Sequence, residues 1–331
     1  MASADGPETV PTASGPGPWL DRPVTVRVPA TSANLGPGFD AFGLALGLHD
    51  VLHASVIGAG LEIEVTGIGK PTATEGERHL VVRAMRAGFD VLGGQPPGIG
   101  LSCVNAIPHG FGLGSSAAAI VAGILAARAL RAGGPERLPD DAVLRLAAEL
   151  EGHADNVAAC LAGGLTIAWG TSRDSANGPV QCLRLDPLPG LAPVICVPAE
   201  PLSTATARQV LPASVPHADA AKNAARAAML VAALTQERPL TDPGVLLDAT
   251  EDFLHQPYRA DSMRGTAELI RVLRVAGVPA VVSGAGPAVL ALIVPGASAG
   301  QAAVTAIAAE LGHEWTVRAL SVDRDGAAVR W

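Results

Sequence analysis

Two stretches of the chain alternate between apolar and polar positions with a period of two. Val24, Val26 and Val28 are separated by Thr25 and Arg27, and Leu61, Ile63 and Val65 by Glu62 and Glu64. Successive side chains of a strand point to opposite faces, so both stretches predict half-buried strands. Leu80, Val81, Ala84, Met85, Val91 and Leu92 recur instead at helical spacing and predict a helix after a turn at Glu77. A short strand is predicted over 99–104, then an alanine-rich helix that begins near Ser115 and stops before Gly133 and Gly134. Asp140 is placed as the N-cap of the next helix. Further on, the pattern gives a strand over 194–197, helices around 217–235 and 264–275, strands on either side of 283–287 and a closing strand near Val329. The result is an α+β chain without an internal repeat.

Composition sharpens this picture. Residues 1–22 are rich in Gly, Pro, Ser and Thr and carry little to bury, so they read as a disordered tail, with folding beginning at Pro23. A chain of 331 residues, 49% hydrophobic, favours two domains, each with its own core. The net charge of -8, from 23 Lys and Arg against 31 Asp and Glu, argues against nucleic acid or an anionic membrane as partner, since either requires a basic field. A small-molecule ligand is expected instead. Cys103, Cys160, Cys182 and Cys196 lack paired spacing and suggest neither zinc nor disulfides. No signal peptide and no apolar run long enough to span a bilayer are evident, which places the protein in the cytoplasm.

Three loops carry candidate chemistry. The segment Pro108, His109, Gly110, Phe111, Gly112, Leu113, Gly114, Ser115, Ser116, Ala117, Ala118 brings glycines to the start of a helix. There, backbone N–H groups and the positive end of the helix dipole favour a phosphate, each charge-assisted bond contributing about 1.5–3 kcal/mol. No Lys follows the last glycine, so the pattern is not a Walker loop. The plain alternative is a glycine-rich turn capped by Ser115. The second loop, 29–40, follows the first strand and holds Asn34 and Asp40 beside glycines. An amide there can hold a hydroxyl and a carboxylate can pair with an ammonium, or the loop is an ordinary Gly-Pro turn with an Asx hydrogen bond. The third, 283–287, sets Gly284 and Gly286 between two apolar strands, either as a simple turn or as donors near a phosphate.

Taken together and in this order, the three loops resemble the signature of the GHMP kinases, named for galacto-, homoserine, mevalonate and phosphomevalonate kinases. The resemblance runs from Pro23 to the end. Residues 29–46 (PATSANLGPGFDAFGLAL), 149–157 (ELEGHADNV) and 255–259 (HQPYR) resemble the homoserine kinases within it. The resemblance implies a two-domain GHMP kinase fold. An N-terminal ATP-binding domain over 23–185 would contain a left-handed βαβ unit, and a C-terminal domain over 186–331 would be ferredoxin-like. It further implies ATP and Mg²⁺ as cofactors, with Ser116 and Glu149 holding the ion, and L-homoserine as the acceptor, phosphorylated on its hydroxyl in threonine biosynthesis. A homodimer is common among these kinases.

By the same resemblance, Asn34, Asp40, His153, Asp155, Asn156, Thr204, Arg208 and Arg259 fall at acceptor positions. Asp40 would take the ammonium and Arg259, with Arg208, the carboxylate. Asn34, Asp155, Asn156 and Arg208 would orient the reacting groups without a strong base. Four of the residues named by the resemblance have an ordinary alternative: Glu149 as a solvated residue, Thr204 as a helix cap, Arg259 as a surface charge, and His153 as a satisfied core or helix-end histidine. Where homoserine kinases often carry Asn near adenine, this chain has His79, which can bond or pack on the base or simply start a helix. The competing functions are a mevalonate-type kinase, whose acceptor has no ammonium for Asp40, and a catalytically silent ligand-binding member.

Overall fold

The computed structural model describes residues 18–68, 73–170, 180–202, 204–237, 243–297 and 300–331. Its first sheet contains β1 (Val24–Ala33), β2 (Phe42–Ile57), β3 (Gly60–Gly67), β4 (Gly98–Asn105), β5 (Leu165–Gly170) and β6 (Val180–Leu185). The central strand β2 is long enough to serve two neighbours: Phe42–Leu44 pair with β5, and Val51–Ile57 with β4. The pair β3 and β4 is parallel and joined through helix α1 (Leu80–Val91), whereas β1 and β2 run antiparallel with a register shift between Pro29 and Ala30.

Helix α2 (Ser115–Leu130) lies on this sheet and is buried almost all round, because α1 packs on its outer side. Gly123 permits that approach: a Cβ there would stand 2.6 Å from the Val81 carbonyl oxygen. After α3 (Gly134–Arg137), helix α4 (Asp140–Glu151) also packs on α2, and α5 (Asp155–Ala162) packs on β1, β2 and β5. Asp140 is the first residue of α4 and not its cap. Pro139 occupies the cap position, and the Asp140 carboxylate turns to Arg128 Nη1 at 2.6 Å.

The second sheet is formed by β7 (Ala192–Pro198), β8 (Ala280–Val282), β9 (Val289–Ile293) and β10 (Trp315–Ala319), in the order β10-β7-β9-β8 and antiparallel throughout. Between β7 and β8 come α6 (Thr204–Gln209), α7 (His217–Leu234), α8 (Pro243–Ala249), α9 (Gln256–Arg259) and α10 (Arg264–Val275), and between β9 and β10 lies α11 (Gln301–Glu310). A strand-helix-strand-strand-helix-strand succession in that spatial order is ferredoxin-like. Leu269 and Leu273 of α10 and Val304 and Ala308 of α11 close one face of the sheet over Val194, Cys196, Val289 and Ala291. The other face, with Ile195 and Leu290, joins the larger core.

Both chain ends depart from the sequence expectation. The tail over 1–22 contributes to the core at its far end: Trp19 meets Phe89 edge-on at 5.2 Å, and Leu20 N–H donates to the Leu130 carbonyl at 2.9 Å. Residues 1–17 lie outside the described part. The final strand, β11 (Ala328–Arg330), leaves the second sheet and pairs antiparallel with β1. Among the described residues no helix is long and apolar enough to cross a membrane.

Candidate active site

The three glycine-bearing loops meet. Ser283 Oγ donates to the Gly112 carbonyl at 2.7 Å and lies 2.8 Å from Ser32 Oγ. Gly284 N–H reaches the Ala33 carbonyl at 3.1 Å, and Asn34 Nδ2 returns a 2.7 Å bond to the Gly284 carbonyl. The fit depends on glycine at Gly112, whose φ is +76° and where a Cβ would run into the Ser283 carbonyl oxygen. Gly114 stands at φ +69°, and a Cβ there would strike Thr31 Oγ1.

Around this junction lie two neighbouring cavities. One, of about 260 Å³, is lined by Asp50, Leu52, Glu75, His79, Asn105 and His109, and its floor includes Ser115, Ser116 and Ala118. His79 is buried, with Nδ1 lacking any partner, and burial lowers its proton affinity. Asp50 accepts N–H bonds from Ala106 (2.6 Å) and Ile107 (2.9 Å), yet burial still holds its carboxyl above the ordinary range. The second cavity, about 70 Å³, is bordered by Gly110 and by Gly112–Ser116 of the loop, together with Asn34, Glu151, His153, Asp155, Asn156, Arg208, Arg259 and Gly284. Ser115 and Ser116 border both cavities, so one group bound at the α2 N-terminus can bridge them. No side chain caps α2, which leaves its first N–H groups available to a ligand.

The structure assigns the sequence candidates unequally. Arg259 is no surface charge: it is 1% exposed, donating from Nε to the Ala207 carbonyl at 3.0 Å. Asp155 and Asn156 are buried at the start of α5, where Asn156 Oδ1 accepts from Thr31 Oγ1 at 2.7 Å. His153 Nδ1 lies 2.8 Å from Asp155 Oδ1. Burial alone would lower the proton affinity of His153, but Asp155, and more weakly Glu151, raise it above the ordinary imidazole value. Both polar atoms of Asn34 are engaged, Nδ2 with Gly284 and Oδ1 with Asp40 N–H at 2.9 Å, so its first task is to hold the loops together. Asp40 lies outside the small cavity and pairs with Arg208. The side chain of Thr204 lies outside the described residues.

Several candidates lie away from both cavities. Glu149 is exposed, and the carboxylate in the site is Glu151, whose Oε2 accepts from Ser116 Oγ at 2.5 Å. Two residues along a helix amount to a rotation of about 200°, so the two glutamates face opposite ways. Burial raises the proton affinity of Glu151, and the Ser116 bond offsets part of that rise. Ala117 is fully buried and lines neither cavity. Pro108, Phe111 and Gly286 frame the loops without lining either space: Phe111 gives its carbonyl to Ala288 N–H and Gly286 packs on Met263. Asp50, Asn105 and Glu151 were missed. For Glu151 a signal existed, since Gly152 ends the helix and leaves Glu151 as its last residue, beside His153 and Asp155.

Known proteins resemble this chain in sequence and in fold. The GHMP kinase N-terminal domain model matches residues 79–164, and the GHMP kinase C-terminal model matches residues 229–314. A homoserine kinase of Streptomyces avermitilis is 52% identical over 306 residues, covering 92% of this chain and 95% of that one. One from Streptomyces coelicolor is likewise 52% identical, covering 92% and 94%. The crystal structure of homoserine kinase from Cytophaga hutchinsonii superposes with a TM-score of 0.76 at 26% identity, over 93% of this chain and 97% of that chain. With both domain models matched, the loops converged and relatives this similar over nearly its whole length, the chain belongs to the GHMP kinases, among the homoserine kinases.

Proposed function

We propose that the protein transfers the γ-phosphoryl group of ATP to the hydroxyl of L-homoserine, in the cytoplasm, giving O-phospho-L-homoserine for threonine biosynthesis. The observation that carries this reading is the uncapped, glycine-lined α2 N-terminus, bordered by a larger partly apolar cavity on one side and a small, highly charged one on the other. A nucleotide fits the first: His79 Nδ1 is a buried polar atom without a partner, and the Gly110–Gly114 backbone forms a cradle that side chains would fill. Base and ribose would occupy the larger space, with the phosphates over Ser115 and Ser116.

A magnesium ion fits beside Ser116 and Glu151, a hydroxyl and a carboxylate 2.5 Å apart, of which Ser116 borders both cavities and Glu151 the small one. Mg²⁺ prefers oxygen ligands and takes most of them from phosphates and water; when bound it would neutralise phosphate charge. Among the described residues no cluster of three or more His, Cys, Asp or Glu is arranged to hold an ion alone.

The small cavity suits a compact zwitterion with a hydroxyl. Arg259 and Arg208 offer the carboxylate two cations, and Asp40, paired with Arg208 just outside the cavity, is assigned to the ammonium. Asp155 and Asn156 then orient the hydroxyl toward the loop. Asp155 Oδ1 is shared by His153 Nδ1, Asn156 N–H and Asn156 Nδ2, which fixes the carboxylate at the cavity wall and suits it to an orienting role. Positioning and electrostatic stabilisation of the transferring group supply the acceleration. The nucleotide side corresponds to the unit over 23–185, and the acceptor side also draws on 186–331.

The test is release of ADP from ATP with a panel of acceptors. Turnover with L-homoserine and none with mevalonate or shikimate supports the reading. Turnover on mevalonate transfers the function to a different acceptor, and no turnover on any of them supports a silent binding protein.

A further inference from the structure

His255 is fully buried and is not needed by the chemistry described so far. It caps the short helix α9, in a turn that Asp252 fixes by accepting from Leu254 N–H (2.8 Å), His255 N–H (3.1 Å) and Gln256 N–H (2.6 Å). Its ring spans two segments. Nε2 lies 2.9 Å from the Gly36 carbonyl oxygen and 3.3 Å from Asp252 Oδ2, both acceptors, so Nε2 carries the hydrogen. Nδ1 lies 3.0 Å from Arg259 Nη1, and an arginine can only donate, so Nδ1 presents its lone pair.

Arg259 is thereby gripped along one edge. Nε donates to the Ala207 carbonyl at 3.0 Å, and Nη1 to His255 Nδ1 and, at 3.4 Å, to the Gly284 carbonyl. The guanidinium carbon stands 5.6 Å from the centre of the Phe39 ring, which itself stacks on His255 at 5.2 Å. Nη2 remains as the nitrogen unclaimed among the described residues, on a side chain that borders the small cavity.

We propose that His255 is a positioning residue for the acceptor: through its neutral Nε2–H tautomer it holds Arg259 so that Nη2 addresses the acceptor carboxylate. The proposal rests on the reading of Arg259 as the carboxylate ligand. A neutral acceptor nitrogen at Nδ1 is required because an imidazolium would turn an N–H, and a positive charge, toward the guanidinium. Around the ring, Asp252 and Arg259 face it from its own segment, and the Gly36 carbonyl and Asp40 from the loop after β1.

Two substitutions separate the ring's tasks. Asparagine places a side-chain oxygen near the Nδ1 position and loses the bond to Gly36, whereas glutamine reaches the Nε2 position and loses the acceptor for Arg259. For His255→Gln, the KM for L-homoserine rises tenfold or more, while kcat and the KM for ATP stay within about threefold. His255→Asn recovers most of the acceptor KM. Equal damage in both variants, or none in either, overturns the proposal and leaves His255 as a pin for Gly36. Arg259→Lys, measured alongside, tests the underlying reading separately. If it leaves the L-homoserine KM unchanged, the carboxylate role of Arg259 and the proposal both fall; if it raises that KM but His255→Gln does not, only the proposal falls. Nitrogen-15 NMR of histidine-labelled wild-type protein gives a readout independent of how the variants fold. A protonated Nε2 with a bare, hydrogen-bonded Nδ1 at neutral pH is expected, and the opposite tautomer or an imidazolium overturns the assignment.

Discussion

Arg208 and Asp40 face each other in a two-pronged ion pair, Nη2 to Oδ1 at 2.8 Å and Nη1 to Oδ2 at 3.2 Å. One lies on α6 and borders the small cavity, and the other lies on the loop between β1 and β2, outside it. Its two charges are those assigned to the carboxylate and ammonium of the acceptor. A bound zwitterion would exchange one ion pair for two.

An exposed pair of this kind contributes only about 0–1 kcal/mol to stability, and these side chains are 38% and 39% exposed. Asp40→Asn is therefore expected to leave urea unfolding nearly unchanged. The KM for L-homoserine should rise at least tenfold, with the KM for ATP unaffected. Steady-state kinetics and a denaturation curve on the same preparation check both, and a large stability loss with unchanged KM would assign Asp40 to structure.

Glu151 borders the small cavity and accepts from Ser116, whereas Glu149 is exposed. Glu151→Gln keeps the shape and the bond to Ser116 but removes the charge that suits a divalent cation, so kcat should fall by two orders of magnitude or more, about 2.7 kcal/mol. Glu149→Gln should stay within twofold of wild type. Titrating Mg²⁺ in both assays identifies the cause, since Glu151→Gln should need a higher Mg²⁺ concentration for half-activation.

Much of the fold was legible because the relevant strands are half-buried. β1 and β3 show their alternation, and α1 shows its helical stripe, because one face of each meets the core. β2 carries no such signal: Phe42, Gly43, Leu44, Ala45 and Leu46 are all buried, which removes the alternation. The phosphate loop could be read from glycines at a helix start. The two glutamates could not be told apart without the helix phase, and the task of His255 depends on Gly36, 219 positions away in the chain. Such long-range partners leave no local pattern.

Gly112 and Gly93 offer a matched pair. Both have positive φ, +76° and +96°, but nothing lies within 4 Å of a Cβ added at Gly93, whereas at Gly112 the Ser283 carbonyl blocks it. Gly93→Ala should cost about 1–2 kcal/mol for the left-handed backbone alone. Gly112→Ala should cost more and also raise the KM for ATP, because the loop must move away from Ser283. Chemical denaturation of both, with ATP kinetics, measures the difference.

Burial, aided by Arg259 and opposed by Asp252, holds the proton affinity of His255 below its ordinary value near 6.5. The folded chain thus releases a proton that the unfolded chain retains, so this contribution is complete above that value and is lost as pH falls from it toward the folded pKa. His153 is shifted upward and acts in the opposite direction, but it is present in both proteins when wild type is compared with His255→Asn. The difference in unfolding free energy between the two should shrink as pH falls from 7.5 to 5.5, by at most about 1.4 kcal/mol per pH unit. A constant difference would show that His255 keeps the same protonation state folded and unfolded.

The central claim, phosphoryl transfer to the hydroxyl of L-homoserine, is tested most directly by phosphorus-31 NMR of a reaction containing the protein, ATP, Mg²⁺ and L-homoserine. The account predicts a phosphomonoester signal coupled to the side-chain methylene, growing in equal amount with ADP. ADP accompanied only by inorganic phosphate, or no change in ATP, would contradict it.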